Sequence, residues 1–161
     1  MNEGLIAAWQ ALVQPTDEVW VLGDFCFWRA SDVLTPQAIF DQLPGSKHLI
    51  IGNHDEKNPK TMRLPWASKH DLHTLRWQEH RLIACHYGLE TWKNAHHGYL
   101  HVHGHSHGSL RQIHHRWDVG VDPMGYAPVP VTTIIGWAAE QVFNPQDHHA
   151  TTRAGETIEN A

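Results

Sequence analysis

The stretch Leu49-Ile50-Ile51-Gly52-Asn53-His54-Asp55 decides the fold. Its apolar run reads as the end of a buried strand, and it stops abruptly at a glycine followed by an amide, an imidazole and a carboxylate. Gly52 admits a backbone conformation closed to other residues, so the chain can turn sharply there. Asn53, His54 and Asp55 then stand at the carboxyl edge of a sheet, where open α/β folds bind their ligands. An amide oxygen can coordinate a cation, and an imidazole can coordinate one or move a proton. A carboxylate can orient that imidazole.

Upstream, Val19-Trp20-Val21-Leu22 is a second buried-strand run, and it ends in Gly23-Asp24. Asp24 shares the sheet edge of Asn53 if the two strands are neighbours. Between them, residues 35–43 read as a short helix, with Thr35 as N-cap and Pro36 at its first position. Strand, helix and strand over residues 19–51 predict a parallel βαβ unit. Earlier still, Leu5, Ile6, Trp9, Leu12 and Val13 form the apolar stripe of an amphipathic helix over residues 3–13, with Trp9 in the core. Cys26 reads as a small buried hydrophobe without a catalytic role.

Downstream, residues 56–70 are polar and irregular and read as a surface loop. Leu72, Leu75 and Trp77, then Leu82, Ile83 and Ala84, flank Gln78-Glu79-His80 and predict a hairpin. Its second strand again stops at a potential ligand, in Cys85-His86-Tyr87-Gly88. In Leu100-His101-Val102-His103-Gly104-His105-Ser106-His107-Gly108, residues two apart on extended backbone point the same way. His105 and His107 can therefore converge on one centre or on two adjacent ones, while His101 and His103 read as plain strand residues in preference to groups that support such ligands from behind. Arg116–Asp122 resembles a late strand and Pro123-Met124-Gly125 a turn. Thr132 or Thr133 would cap a last helix running to about Phe143. One domain over 1–143 and a loose tail over 144–161 are expected.

Composition bounds the function. The 161 residues suffice for one domain with a real core, and 41% hydrophobic against 18% charged residues is an ordinary globular balance. A formal charge of −5 argues against broad nucleic-acid binding. No apolar run has the length of a membrane span and no signal peptide is visible. Two cysteines, Cys26 and Cys85, make no disulfide framework and fit a reducing cytoplasm. The 16 histidines stand out, since imidazole is the commonest metal ligand; most of them read as surface residues.

Taken in order, Gly23-Asp24, Gly52-Asn53-His54-Asp55, His86 and Gly104-His105-Ser106-His107 resemble the motifs of the calcineurin-like metallophosphoesterases, over most of the chain. His86-Tyr87 and Val119-Gly120-Val121-Asp122 resemble the small bacterial and phage-type members. The resemblance implies an α/β fold, a four-layer αββα sandwich with two metals at the strand ends. It implies that Asp24 bridges the metals, that Asn53, His86 and His105 complete one site, and that His107 binds the other metal. His54 would stabilise the phosphoryl group or protonate the leaving oxygen, with Asp55 holding its ring.

The chemistry suits that arrangement. A phosphate ester is negatively charged and repels hydroxide, so its hydrolysis needs charge neutralisation and a nucleophile available at neutral pH; adjacent metal ions supply both. Imidazole, carboxylate and amide donors fit manganese, iron, zinc or nickel. The expected function is metal-dependent hydrolysis of a phosphate mono- or diester. The competing expectations are a catalytically weak binding module on the same fold and, fitting less well, a histidine-rich metal-sequestering protein.

One departure matters. The family opens with Asp-x-His at the end of its first strand, whereas Met1 here falls in what resembles the following helix. The expectation is a fragment of a longer reading frame or a weak second metal site, with the first strand missing and self-association through the exposed sheet surface. Asp71-Leu72-His73 has the letters of the motif but lies in the hairpin region and reads as a decoy. Gly88 stands where many relatives have proline.

Overall fold

The computed structural model describes residues 2–29 and 32–142. The chain is mixed α/β with two sheets, one of strand order β1-β2-β3 and one of order β4-β5-β6-β7. Helix α1 spans Asn2–Leu12, and strand β1 (Glu18–Val21) follows. Helix α2 (Pro36–Phe40) starts as expected: Thr35 is extended and its hydroxyl accepts from the Ala38 amide, with Pro36 in the first turn. It leads into β2 (Ser46–Ile50), which pairs parallel with β1, Trp20 opposite His48. This is the predicted βαβ unit.

The stretch 56–70 differs from its reading as a loop. Asn58 caps a short helix α3 (Pro59–Met62), and β3 (Ser68–His70) adds to β2 in parallel. Ser-Lys-His carries no apolar pattern, so no periodicity marks it as a strand. It is held by long-range bonds, from the Ile51 amide to the His70 carbonyl (2.8 Å) and from the Ala67 amide to the Lys47 carbonyl (2.8 Å).

The hairpin is as predicted, β4 (Leu72–Trp77) antiparallel to β5 (His80–Cys85). Then β6 (Leu100–His103) and β7 (Arg116–Asp118) extend that sheet in parallel. The core lies between the sheets. Ile50, Trp20 and Leu22 of one meet Leu82, Ala84, Val102 and Trp117 of the other, and Ile134 closes the cluster from helix α4 (Val131–Ala139). A smaller cluster of Ile83, Trp92, Ala95 and Ile113 covers the far face of the second sheet. Burying side chains of this size stabilises the fold by about 1.5–3 kcal/mol each.

The last helix starts earlier than its threonines suggest. Pro130 occupies the cap, its ring holding φ at −61° but offering no polar atom to bond the first helix amides. Its expected end at Phe143 and the expected tail over 144–161 lie outside the described residues. The core assignment of Trp9 is also revised, since it is only half-buried, and Leu12 of the same stripe is 52% exposed. Both line a long apolar groove beside β1, together with Val19, Val21, Leu75 and Val131. The same groove leaves β1, expected as a buried strand, half-buried, since among the described residues its only strand partner is β2. No helix among the described residues is long and apolar enough to cross a membrane.

Candidate metal centre

Strands β1, β2, β5 and β6 run in parallel within their sheets, so each delivers its following residues to the same edge. There the ligand atoms of Asp24, His86 and His105 all lie within 4.8 Å of one another. Asn53 joins them, its Oδ1 3.1 Å from His86 Nε2. These four sequence-predicted ligands are brought together.

Two glycines permit the approach. Gly23 has φ of +89°, and a Cβ there would stand 2.2 Å from His86 Nδ1. A Cβ on Gly52 would stand 2.3 Å from Asp24 Oδ1. Neither collision can be relieved without moving a ligand, so each of these two positions requires a residue with no side chain.

His86 defines the polarity of the centre. It is buried, and its Nδ1 lies 2.7 Å from the Leu22 carbonyl, which can only accept, so Nδ1 carries a proton. In a neutral ring Nε2 then presents a lone pair. Facing it are Asn53 Oδ1 at 3.1 Å and Asp24 Oδ2 at 3.5 Å, an acceptor and an anion. A proton on Nε2, an Asn53 amide turned to donate from Nδ2, or a cation among the three atoms each relieves that confrontation. The donor set of imidazole, carboxylate and amide oxygen fits a divalent transition ion.

Asp55 acts differently from its expected role. Its buried carboxylate accepts from the backbone amides of Asp24 (2.6 Å), Phe25 (3.1 Å) and Gly52 (3.0 Å). It therefore ties the loop after β1 to the loop after β2, and these bonds are directed at the backbone, not at the His54 ring. Burial pushes its carboxyl above the usual value, and the three amides oppose that rise. His54 is exposed, its amide donates to Asp24 Oδ1 (3.0 Å), and its ring is tilted 63° to that of Phe27 with centroids 4.5 Å apart.

His105 and His107 part company. Both have positive φ, 62° and 49°, so the extended backbone that would point them the same way is absent. His105 joins Asp24 and His86; His107 is exposed and its Nδ1 bonds Asp122 Oδ2. That bond leaves His107 Nε2 as its free donor atom. His73, of the Asp71-Leu72-His73 triplet, stacks on Trp20 at 4.7 Å and is no member of the Asp24 group.

Two positioning residues went unassigned in the sequence reading, Asp118 because it was not singled out and His101 because the plain strand reading was preferred. Asp118, at the end of β7, accepts from Ser106 Oγ (2.6 Å) and from the amides of Gly108 (2.8 Å) and Gly120 (2.9 Å), pinning the loop that carries His105 and His107. Burial alone would raise its carboxyl, but these hydrogen bonds together hold it below the usual range. His101 is wholly buried in β6. Its Nδ1 donates to the Ile83 carbonyl (2.8 Å) while Nε2 accepts from the Leu89 amide (3.0 Å), fixing the turn after His86. The available signal for Asp118 was a carboxylate directly after an apolar strand position, the pattern already seen at Asp24. For His101 the supporting reading was the less favoured of two, because a buried strand histidine and an exposed one look alike in sequence.

No family model matches the chain. The Gene 66 protein of Mycobacterium phage L5 is 26% identical over 151 residues, spanning 75% of this chain and 73% of that protein. A crystal structure of a protein of unknown function from Aquifex aeolicus resembles this one with a TM-score of 0.67 at 19% identity, covering 84% of each chain. At that identity the likeness concerns the α/β fold alone.

Proposed function

We propose that the chain is a metal-dependent phosphoesterase built on the four-layer αββα sandwich of the metallophosphoesterases. The observation that carries the reading is the confrontation of His86 Nε2 with Asn53 Oδ1 and Asp24 Oδ2, beside His105. Donors of this kind suit manganese, iron, zinc or nickel. A cation bound there supplies charge neutralisation and a nucleophile at neutral pH. Asp24, Asn53, His86 and His105 hold it, and Asp55 and Asp118 fix the loops from which these side chains project. His54, exposed beside Asp24, is free to donate a proton to the leaving oxygen. His107, oriented by Asp122, is the protein donor for a second, weaker ion.

Hydrolysis of bis(p-nitrophenyl) phosphate by the purified chain, with metal content measured in parallel, tests the reading. The expected result is turnover abolished by chelation and restored by manganese, with the Asp24→Asn and His86→Ala variants inactive. Tight binding of one metal without turnover of mono- or diesters would instead favour a metal-binding module, the reading that the separation of His107 from the other donors supports. Absence of both metal and turnover would sink the proposal.

A further inference from the structure

Away from the metal centre, three histidines gather on one tryptophan. Trp20 of β1 stacks on His48 of β2 and on His73 of β4, with ring centres 4.5 and 4.7 Å apart and planes within 11° of parallel. His70 of β3 lies 4.4 Å from His73 and 5.8 Å from Trp20. The rings therefore come from both sheets. They meet where the chain passes from one sheet to the other, since Asp71 alone separates β3 from β4. All three histidines are half-buried, and Trp20 packs against the main core.

The hydrogen bonds suit neutral rings. Ser68 Oγ lies 2.8 Å from His48 Nδ1 and 3.0 Å from His70 Nε2. Its one proton can go to either nitrogen while its oxygen accepts from the other, a relay that needs one of the two nitrogens bare. With both rings protonated, both nitrogens donate and the hydroxyl proton loses its acceptor. His48 Nε2 is buried and has no partner among the described residues. A lone pair there costs less than a charged N–H, which would be a buried donor left unsatisfied.

Charge acts in the same direction. Burial lowers the pKa of His73, and the neighbouring His70 and His48 add to the fall. The other titratable groups on the facing surfaces are few. Glu18, on the Trp20 side of β1, and Asp71, in the link, are exposed, while His80 at the start of β5 pairs with Glu79. Lys47 and Lys69 alternate to the opposite face of their sheet. Otherwise β5 and α4 offer Leu82, Ala84 and Ile134 to the same core. A cation gains from an indole face, yet that gain leaves the mutual repulsion and the unmatched His48 donor in place.

We propose that His48, His70 and His73, gathered around Trp20, form an acid-operated latch: neutral rings hold the β3–β4 crossing closed between the two sheets, and protonation frees it. Trp20 and His48 precede Asp24 and Asn53 on β1 and β2, so the latch and the candidate metal centre share two strands. The latch itself involves no metal and is independent of the phosphoesterase reading.

Hydrogen–deuterium exchange of the full chain at about pH 7.5 and about pH 5, corrected for intrinsic amide chemistry, tests this. On acidification, protection of the β3–β4 segment should fall at least about fivefold more than that of β5 and β6, which hold His101 and report acid loss elsewhere in the fold. His73→Phe, which keeps a ring on Trp20, and His70→Gln, which can still bond Ser68, should each reduce that excess by about threefold or more. A smaller excess in the unsubstituted chain would overturn the latch, and so would one that both variants leave unchanged. Should the variants fail to fold, the ring resonances of His73 in the unsubstituted chain decide the matter. Titration below 6.5 is expected, and titration at or above 6.5 refutes the latch.

Discussion

His101 commits both ring nitrogens to backbone, one as donor and one as acceptor, and so is held as a neutral imidazole. Burial pushes its pKa down from 6.5 to about 4, with the neighbouring His103 and Arg116 adding to the fall. A depressed histidine favours the folded state above pH 6.5 and loses that advantage as the pH drops towards 4, where the unfolded chain takes up the proton first. The loss over that window is roughly 3 kcal/mol. Urea denaturation at several pH values should show it, and His101→Gln should flatten the slope; an equal slope in the variant would acquit this residue. At the same scale, His54 touches no predicted ligand with its ring yet stands beside Asp24 through its amide. If it supplies the proton to the leaving oxygen, His54→Ala should lower kcat by about 100-fold or more while leaving metal affinity and KM nearly unchanged. Unaltered turnover would remove it from the mechanism.

At the scale of elements, two glycines illustrate opposite constraints. Gly136 lies inside α4 with nothing within 4 Å of where its Cβ would be, so the helix gains nothing from it. Gly136→Ala should raise stability by about 0.5–1 kcal/mol, read as a higher urea midpoint without a change in slope. A loss of stability would mean that the α4 backbone is not helical there. The same substitution at Gly52 drives a methyl group into Asp24 and should cost both stability and metal binding. One turn of chain after β2 therefore tolerates no change, whereas a full helix on the periphery improves with one.

For the whole molecule, ligand binding and stability are linked. The candidate ligands come from loops after β1, β2, β5 and β6, which belong to different sheets, so a cation that binds them clamps the two sheets together at one edge. A ligand at 100 times its Kd adds about 2.7 kcal/mol. For a chain of 161 residues that corresponds to a Tm rise of roughly 5–10 °C. Thermal melts with chelator and with added manganese should show this difference, and His86→Ala should abolish it. A melt indifferent to metal in the unsubstituted chain would mean that the donors converge without binding. The groove beside β1 leaves apolar side chains exposed along the same body.

The sequence by itself determined where β1, β2 and β5 end, because an apolar run that stops at a polar donor cannot continue as a core strand, whereas β7 ends at Asp118, short of its expected Asp122. That pattern identified Asp24, Asn53, His86 and His105, and the periodicity of residues 3–13 and 72–84 identified α1 and the hairpin. Thr35-Pro36 marked the start of α2 because capping is a local property of a few adjacent residues. What remained illegible depends on partners distant in the chain. β3 exists because β2 offers it backbone groups to pair with, not because Ser68-Lys69-His70 prefers to be extended. Asp55 adjoins His54 in sequence, yet three amides, two of them about thirty residues away, claim its carboxylate. His105 and His107 share a dipeptide spacing that suggests one centre, and only left-handed backbone at both positions sends one to Asp24 and the other to Asp122. Side-chain direction follows from φ, ψ and packing against the rest of the fold, and those are settled by tertiary structure alone.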